Sequence, residues 1–369
     1  MVGYISDYRY KYQMFVLSKS PESTLMLRNK DIVVGELSNN LLHIIPDNIM
    51  VKLTDSEFSR MSELSDYDII EIDDRGIYYQ LYSRKEDEAG VVTTPRCNSN
   101  CVMCPASESS RQGCSDTPVD RLLQYVRYLP DDVSFITITG GEPTLIGTDH
   151  FCLLLKAIAE KYSHTGVLLL TNGRTLGSSA FFERFSQCVP ADFRVAIPIH
   201  GSNAEKHDAV TQVRGSFSQT MRGIQNLLSK SIKVEIRIVV SKLNCDDLSD
   251  IADLILRSFP GVSVVNFIGL EMRGNCAKNS ERVIIPYETA FQKSKQAIRQ
   301  LAIAGIDVGL YNFPYCMIDK EYWYIAKKSI AGYKSKFYEK CDSCRLRNDC
   351  CGIFEATMKF YHPEVYPVS

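Results

Sequence analysis

From Gly90 onward the chain repeats one pattern: an apolar run, a short loop, then an amphipathic stretch. The candidate strands are Val91–Thr93, Val133–Thr139, Thr165–Leu170, Phe193–His200, Lys233–Val240 and Val262–Leu270. Between them lie candidate helices over Val119–Tyr128, Phe151–Lys161, Ser179–Gln187, Ser216–Lys230 and Asp246–Phe259. In the second helix Phe151, Leu154, Leu155 and Ile158 fall on one helical face, and Met221, Ile224, Leu227 and Leu228 do the same in the fourth. Strands alternating with helices imply a parallel sheet wound by right-handed crossovers. Six strands are too few to close an eight-stranded barrel. The pattern therefore predicts an α/β fold, a partial (β/α)6 barrel whose active site lies at the C-terminal strand ends.

The flanks read differently. Residues 1–88 hold short apolar runs (Gln13–Ser18, Asp31–Val34, Leu41–Ile45, Gly76–Tyr82) broken by polar residues and proline, which predicts a small β-rich domain. The charge run Arg84–Glu88 reads as a solvated linker. The barrel is expected over 89–285. Residues 286–369 add a helix (Tyr287–Ala304), a strand (Asp307–Tyr311) and a cysteine-rich tail from Cys316 to Phe354. With 42 basic and 44 acidic side chains among 369 residues, the charge balance gives no footprint for nucleic acid. No stretch has the roughly 18 apolar residues of a membrane span, and the first residues lack the apolar core of a signal peptide. These features predict a soluble cytoplasmic protein with no membrane partner.

Thirteen cysteines, an odd number concentrated in two places, suit metal binding in a reducing compartment better than a disulfide framework. Cys97, Cys101 and Cys104 are spaced x3 and x2 on the loop after the first barrel strand. Three thiolates on one loop can ligate three irons of a four-iron–four-sulfur cluster and leave the fourth iron open. A structural zinc would lack its fourth ligand there. After the second strand comes Thr139-Gly140-Gly141-Glu142-Pro143-Thr144. Its two glycines would let the backbone approach a ligand, and Glu142 would accept from an ammonium group. His207 reads as a structural histidine and Ser216 as a helix cap.

Together, the cysteine loop and the Gly140-Gly141-Glu142-Pro143 turn one βα unit later resemble the radical S-adenosylmethionine (radical SAM) superfamily. The resemblance implies a four-iron cluster on Cys97, Cys101 and Cys104 and a SAM molecule held by Gly140, Gly141, Glu142 and Pro143. It further implies that Met103, Thr171, Asn172, His200, Arg237 and Gly269 surround the SAM ribose, carboxylate and adenine. In the tail, Cys341-x2-Cys344-x5-Cys350 resembles the SPASM and twitch extensions of peptide-modifying members. Phe354 stands where a fuller pattern has another cysteine, so one auxiliary four-iron cluster is implied, on Cys316, Cys341, Cys344 and Cys350, with Cys351 as the substitute for Cys350. A closed zinc site is the alternative for these four residues.

Within the superfamily the chain resembles the maturases of His-Xaa-Ser peptide systems. The matching residues are Thr94-Pro95-Arg96-Cys97-Asn98, Glu271 with Gly274, Tyr311-Asn312-Phe313-Pro314 with Cys316, and the stretch from Cys341 to Phe354. The activity implied is reductive cleavage of SAM to a 5′-deoxyadenosyl radical that abstracts hydrogen from a peptide or protein. An electron donor such as flavodoxin or ferredoxin is implied as a partner. The N-terminal domain would take up the peptide along a sheet edge. The alternatives are a radical SAM enzyme acting on a small molecule or nucleotide, and a non-catalytic metal-binding or electron-transfer protein. No side chain stands out as a catalytic acid or base, because the abstracting species is not a side chain.

Overall fold

The computed structural model describes residues 1–329 and 332–368, and its main strands sort into an N-terminal sheet and a curled parallel sheet. The N-terminal unit runs β1 (Val2–Tyr4), β2 (Gln13–Ser18), α1 (Pro21–Arg28), β3 (Val34–Ser38), β4 (Leu41–Ile45), β5 (Ile49–Lys52), α2 (Asp55–Ser62), β6 (Ile69–Ile72) and β7 (Ile77–Tyr82). Its strands lie in the order β1-β7-β6-β2-β3-β4-β5. The two helices were not expected from the sequence, although each carries its start signal. Ser20 caps α1 ahead of Pro21, and Thr54 forms a reciprocal capping box with Glu57 at α2.

Period-two alternation sends the two faces of this sheet to different places. Phe15, Leu17, Ile70 and Ile72 meet Tyr8 and Tyr78 in a core of their own. Met14, Val16, Val34 and Ile69, on the opposite face, join the main core of the chain.

The curled sheet runs β8 (Glu88–Val92), α3 (Val119–Tyr128), β9 (Phe135–Thr139), α4 (Thr148–Lys161), β10 (Gly166–Leu170), α5 (Ser179–Phe185), β11 (Phe193–Pro198), α6 (Ala204–Thr211), α7 (Ser216–Ser229), β12 (Lys233–Val239), α8 (Leu248–Ser258) and β13 (Val264–Ile268). It continues through α9 (Gly274–Lys278), α10 (Ser280–Val283), α11 (Tyr287–Ile303), β14 (Asp307–Tyr311) and β15 (Ala326–Lys327). Every pairing from β8 to β15 is parallel. The half-barrel expected from the sequence is present, and β14 and β15 extend it beyond six strands. The run Arg84–Glu88 is less of a linker than its charge suggested. Glu88 already opens β8, and Arg84 pairs with Asp132 at 2.6 Å.

Outward-facing residues such as Ile136, Ile138, Val195, Ile197, Ile236 and Phe267 bury against the helices, and α3 packs between them and the N-terminal sheet. Tyr128 Oη accepts the Val33 N–H at 3.2 Å, and Arg121 pairs with Glu71, so the N-terminal sheet is tied to this helix at two points. One cap differs from expectation. Ser216 lies inside α7, and the Asp208 carboxylate does the capping, accepting from the Gly215 N–H at 2.6 Å and the Phe217 N–H at 2.8 Å. Among the described residues no helix is long and apolar enough to cross a membrane.

Phe151 on α4 is fully buried, with its ring centroid 6.2 Å from those of both Phe181 and Phe185 on α5. Truncating it leaves a cavity where several rings meet. Phe151→Ala should lower unfolding free energy in urea by about 3–5 kcal/mol; a loss below about 1 kcal/mol would mean that the rings are not part of one core.

Candidate functional site

The loop from Thr93 to Pro118, between β8 and α3, carries Cys97, Cys101 and Cys104 at the C-terminal rim of the sheet. It has almost no regular structure, so its shape comes from neighbours that bond its main chain. Asn172, just past β10, donates through Nδ2 to Asn98 Oδ1 at 2.6 Å. Arg174 reaches the Asn98 carbonyl and Ser99 Oγ. Arg111 donates to the Ser99 carbonyl at 2.7 Å and to Asn100 Oδ1 at 2.6 Å. From α9, Asn275 Nδ2 donates to Asn100 Oδ1 at 2.8 Å and to the Cys101 carbonyl at 3.2 Å, while the Cys276 N–H donates to the Cys104 carbonyl at 3.1 Å. The end of α6 completes the grip, its Val210 and Thr211 carbonyls accepting from Val102 and Asn100.

The three cysteines are half-buried and lie within electrostatic range of one another. Burial raises the thiol of Cys101 to about 12, and the neighbouring Cys104 and Cys97 add to the rise. Burial likewise lifts Cys97, although the Ser99 N–H donates to its sulfur at 3.4 Å. The Cys97 and Cys101 thiols resist ionisation on their own and would be favoured by a cationic partner, and three cysteines on one loop are of the residue type that ligates an iron–sulfur cluster. Cys276 is fully buried, its sulfur 3.4 Å from Met272 Sδ. Cys114 is exposed, whereas Cys152, Cys188 and Cys245 are buried thiols.

Beside this loop, the turn Gly140–Thr144 makes two sets of contacts that the motif alone does not show. The first concerns Glu142. Its carboxylate is fully buried. It accepts from Thr144 Oγ1 at 2.7 Å, Thr171 Oγ1 at 2.7 Å, the Asn172 N–H at 2.8 Å and the Thr144 N–H at 3.2 Å. Burial pushes its proton affinity up and these donors oppose the push. In this arrangement both carboxylate oxygens are taken up by donors of the two turns.

The second concerns the glycines. The Gly141 and Glu142 N–H groups donate to the Thr94 and Arg96 carbonyls at 2.7 Å each. A Cβ on Gly140 would run into the Thr94 carbonyl, and one on Gly141 into those of Pro95 and Arg96. What the bare backbone approaches closely is the cysteine loop itself. Pro143 starts a 3₁₀ turn with its carbonyl accepting from Thr93 Oγ1 at 3.2 Å.

The other residues expected around SAM fall into two groups. Thr171, Asn172, His200 and Arg237 lie at neighbouring strand ends. Thr171 is taken up by Glu142, and Asn172 bridges to the cysteine loop. His200 is buried, its Nδ1 has no partner, and burial with His207 alongside holds it well below its usual range. His207 is structural as expected, with Nδ1 accepting the His200 N–H at 3.3 Å. Arg237 donates through Nε to Glu235 Oε1 at 2.7 Å, a partner that the sequence reading did not find.

Met103 and Gly269 are more enclosed. Met103 packs with Val210, Leu270 and Met272 under the loop. Gly269 is buried, and a Cβ there would come within 2.6 Å of the Asn312 carbonyl. That packing, rather than an open cavity, accounts for the glycine.

Cys316, Cys341, Cys344 and Cys350 line one cavity, with Tyr315, Gly352 and Val368 among its walls. The Gly352 N–H points at Cys350 Sγ (3.5 Å) and the Val368 N–H at Cys344 Sγ (3.4 Å). Interaction with the neighbouring Cys351 side chain, aided by main-chain N–H donors, holds Cys350 down at about 6 against its burial. Cys351 itself is buried and outside the cavity lining. The geometry thus favours Cys350 over Cys351. Among the described residues no three or more His, Cys, Asp or Glu side chains gather as a site for a metal ion.

Residues 91–255 match the radical SAM superfamily model. This segment is a radical SAM domain. Membership of that superfamily implies a four-iron cluster and SAM for this segment. The mycofactocin maturase MftC of Mycolicibacterium smegmatis is 33% identical over 173 residues, 44% of this chain and 40% of that protein. An AdoMet-dependent heme synthase of Methanosarcina barkeri is 30% identical over 168 residues, 44% of each chain. The chain thus spans less than half the length of these curated relatives. The crystal structure of Streptococcus suis SuiB bound to precursor peptide SuiA shares the fold, with a TM-score of 0.50 and 13% identity over 60% of this chain and 48% of that one.

The radical SAM domain matched here contains both the cysteine loop and the Gly140–Pro143 turn, and their contact can be tested directly. Gly141→Ala drives a methyl into two loop carbonyls. Iron bound per chain after anaerobic reconstitution should fall at least twofold. Full loading would show that the loop tolerates the displacement.

Proposed function

We propose that this protein is a radical SAM enzyme that matures a peptide or protein substrate. The observation that carries it is the contact between the Gly140–Glu142 backbone and the loop of Cys97, Cys101 and Cys104. That contact sets the loop of three cysteines and the Gly140–Pro143 turn side by side at the mouth of the sheet, which supports reading the one as cluster ligands and the other as the cofactor-binding turn. When bound, the four-iron cluster supplies the electron that cleaves SAM to methionine and the 5′-deoxyadenosyl radical. The protein's part is to hold and exclude. With the Glu142 side chain turned inward, the main-chain carbonyls of Gly140 and Gly141 are the acceptors we assign to the SAM ammonium. Arg237, steadied by Glu235, is assigned to the SAM carboxylate, and His200, Thr171, Asn172, Met103, Pro143 and Gly269 frame the rest of the site.

The tail would hold an auxiliary four-iron cluster on Cys316, Cys341, Cys344 and Cys350. The N–H groups aimed at two of these sulfurs support that reading, since such bonds tune cluster potential. Zinc is the alternative metal. A flavodoxin or ferredoxin would deliver electrons. The peptide reading draws on the resemblance to a maturase and on the N-terminal sheet, whose edge strands β1 and β5 could add an extended chain through main-chain hydrogen bonds. A tetrapyrrole substrate is the second reading, favoured by the equal coverage of a heme synthase.

Metal analysis after anaerobic purification tests the chemistry. Wild type should carry about eight irons and a Cys97, Cys101 and Cys104 triple alanine variant about four. Dithionite-driven formation of 5′-deoxyadenosine should vanish in the variant. Zinc without iron in protein kept free of oxygen would overturn the proposal, and a candidate precursor peptide that raises turnover would separate the two substrate readings. Within the tail, Cys350→Ser should lose the second metal site while Cys351→Ser keeps it. The reverse order would reassign the ligand.

A further inference from the structure

Below the rim, the inner wall of the curled sheet bounds a cavity of about 700 Å³, adjoining one of about 620 Å³ that shares Arg194, Glu235, Tyr311 and Lys327. The hydrogen-bonding inventory of this wall is lopsided. Its buried acceptor, Glu235, has a side chain only 5% exposed and already takes the Arg237 Nε–H at 2.7 Å. Arg194 Nη1 stands 3.8 Å from the same carboxylate, beyond hydrogen-bond reach.

Among the described residues, the Arg194 guanidinium, the Lys327 ammonium, the Asn266 amide and the Tyr311 hydroxyl make no hydrogen bond, although all four face the cavities. Burial, with Glu235 nearby, raises the Tyr311 phenol, so it stays a donor at neutral pH. The other carboxylates of the wall sit at the strand starts. These are Glu88, Asp307, and Asp192 held by Lys233 at 2.7 Å. Donors that make no hydrogen bond, with Arg194 held only at ion-pair distance from Glu235, around a cavity whose buried carboxylate already accepts from Arg237, suit an acceptor-rich ligand. A guanidinium with open N–H groups binds a carboxylate in a two-point fork.

We propose that this inner wall binds a carboxylate of the substrate, with Arg194 as the principal contact and Lys327, Tyr311 and Asn266 as supporting donors. The inference rests on the enzymatic reading above, because it treats the sheet interior as the substrate chamber. It goes further by naming the substrate group. On a peptide that group is an acidic side chain or a free C-terminus, and both present the same two oxygens.

The experiment uses cluster-loaded protein with SAM bound and three probes: N-acetyl-glutamate N-methylamide, N-acetyl-alanine with its free carboxylate, and N-acetyl-glutamine N-methylamide as the neutral control. Ligand-observed NMR titration should show at least one acidic probe binding at least tenfold more tightly than the neutral one. The tighter of the two acidic probes identifies the source of the carboxylate. Arg194→Gln should abolish the preference, and Arg194→Lys should restore part of it. Lys327→Gln, on the short edge strand β15, should weaken the preference by severalfold and covers the case in which the arginine variants fold poorly.

Equal binding of acidic and neutral probes, or a preference that survives Arg194→Gln in folded protein, would overturn the proposal. SAM-dependent formation of 5′-deoxyadenosine is measured in parallel. Its absence from wild type would sink the enzymatic reading while leaving the carboxylate preference as measured.

Discussion

A single buried carboxylate holds the rim together. Placing Glu142 fully out of water is costly unless each oxygen finds donors, and here the donors come from two strand ends. Thr144 belongs to the turn after β9, whereas Thr171 and the Asn172 N–H belong to the turn after β10. Once Asn172 is fixed by this knot, its side-chain amide is presented to Asn98 and so to the cysteine loop. The chain of constraint runs from an interior acid to a loop that has no regular structure of its own. A satisfied buried network of this kind selects one arrangement, because leaving any donor unpaired costs about 1–3 kcal/mol.

The barrel was legible because its signals are local. Helix Val119–Tyr128 lies where periodicity placed it, as do strands Gln13–Ser18 and Leu41–Ile45 of the N-terminal sheet. The short helices α1, α2, α6 and α9 escaped because five to eight residues give too few turns for an apolar stripe to register. Their caps were the better signal, as Ser20 and the Thr54–Glu57 pair show. The site was legible in its residue types and less so in its directions. The x3 and x2 spacing named three thiols, and Gly-Gly-Glu-Pro named a turn. Nothing in either motif says whether a glutamate points outward to a ligand or inward to two threonines. That choice depends on residues 29 and 30 positions downstream. Arg174, Asn275 and Glu235 were missed for the same reason, since each acts on a partner supplied by another element or another turn of the strand.

Both cysteine sites stand on the same side of the sheet. The first follows β8 and the second begins with Cys316, five residues past β14. The tail is tied back to the end of β13, where Thr357 Oγ1 meets the Leu270 carbonyl at 3.5 Å and Lys334 pairs with Glu271 at 3.2 Å. Strands running in parallel make this possible, because every strand delivers its following loop to one end. The opposite end and the inner wall are left for other work.

The grip of α9 on the cysteine loop has a consequence for synthesis. Asn275 bonds the Cys101 carbonyl across 174 positions of sequence, so the loop is translated long before its clasp exists. At the usual pace of about 5–20 residues per second, the thiols wait on the order of ten seconds or more on the ribosome without their full surroundings. During that interval they are open to oxidation and to stray metal ions. Loading with iron therefore belongs after the sheet has closed around residue 279, and slow growth at low oxygen should favour an intact site over rapid production in air.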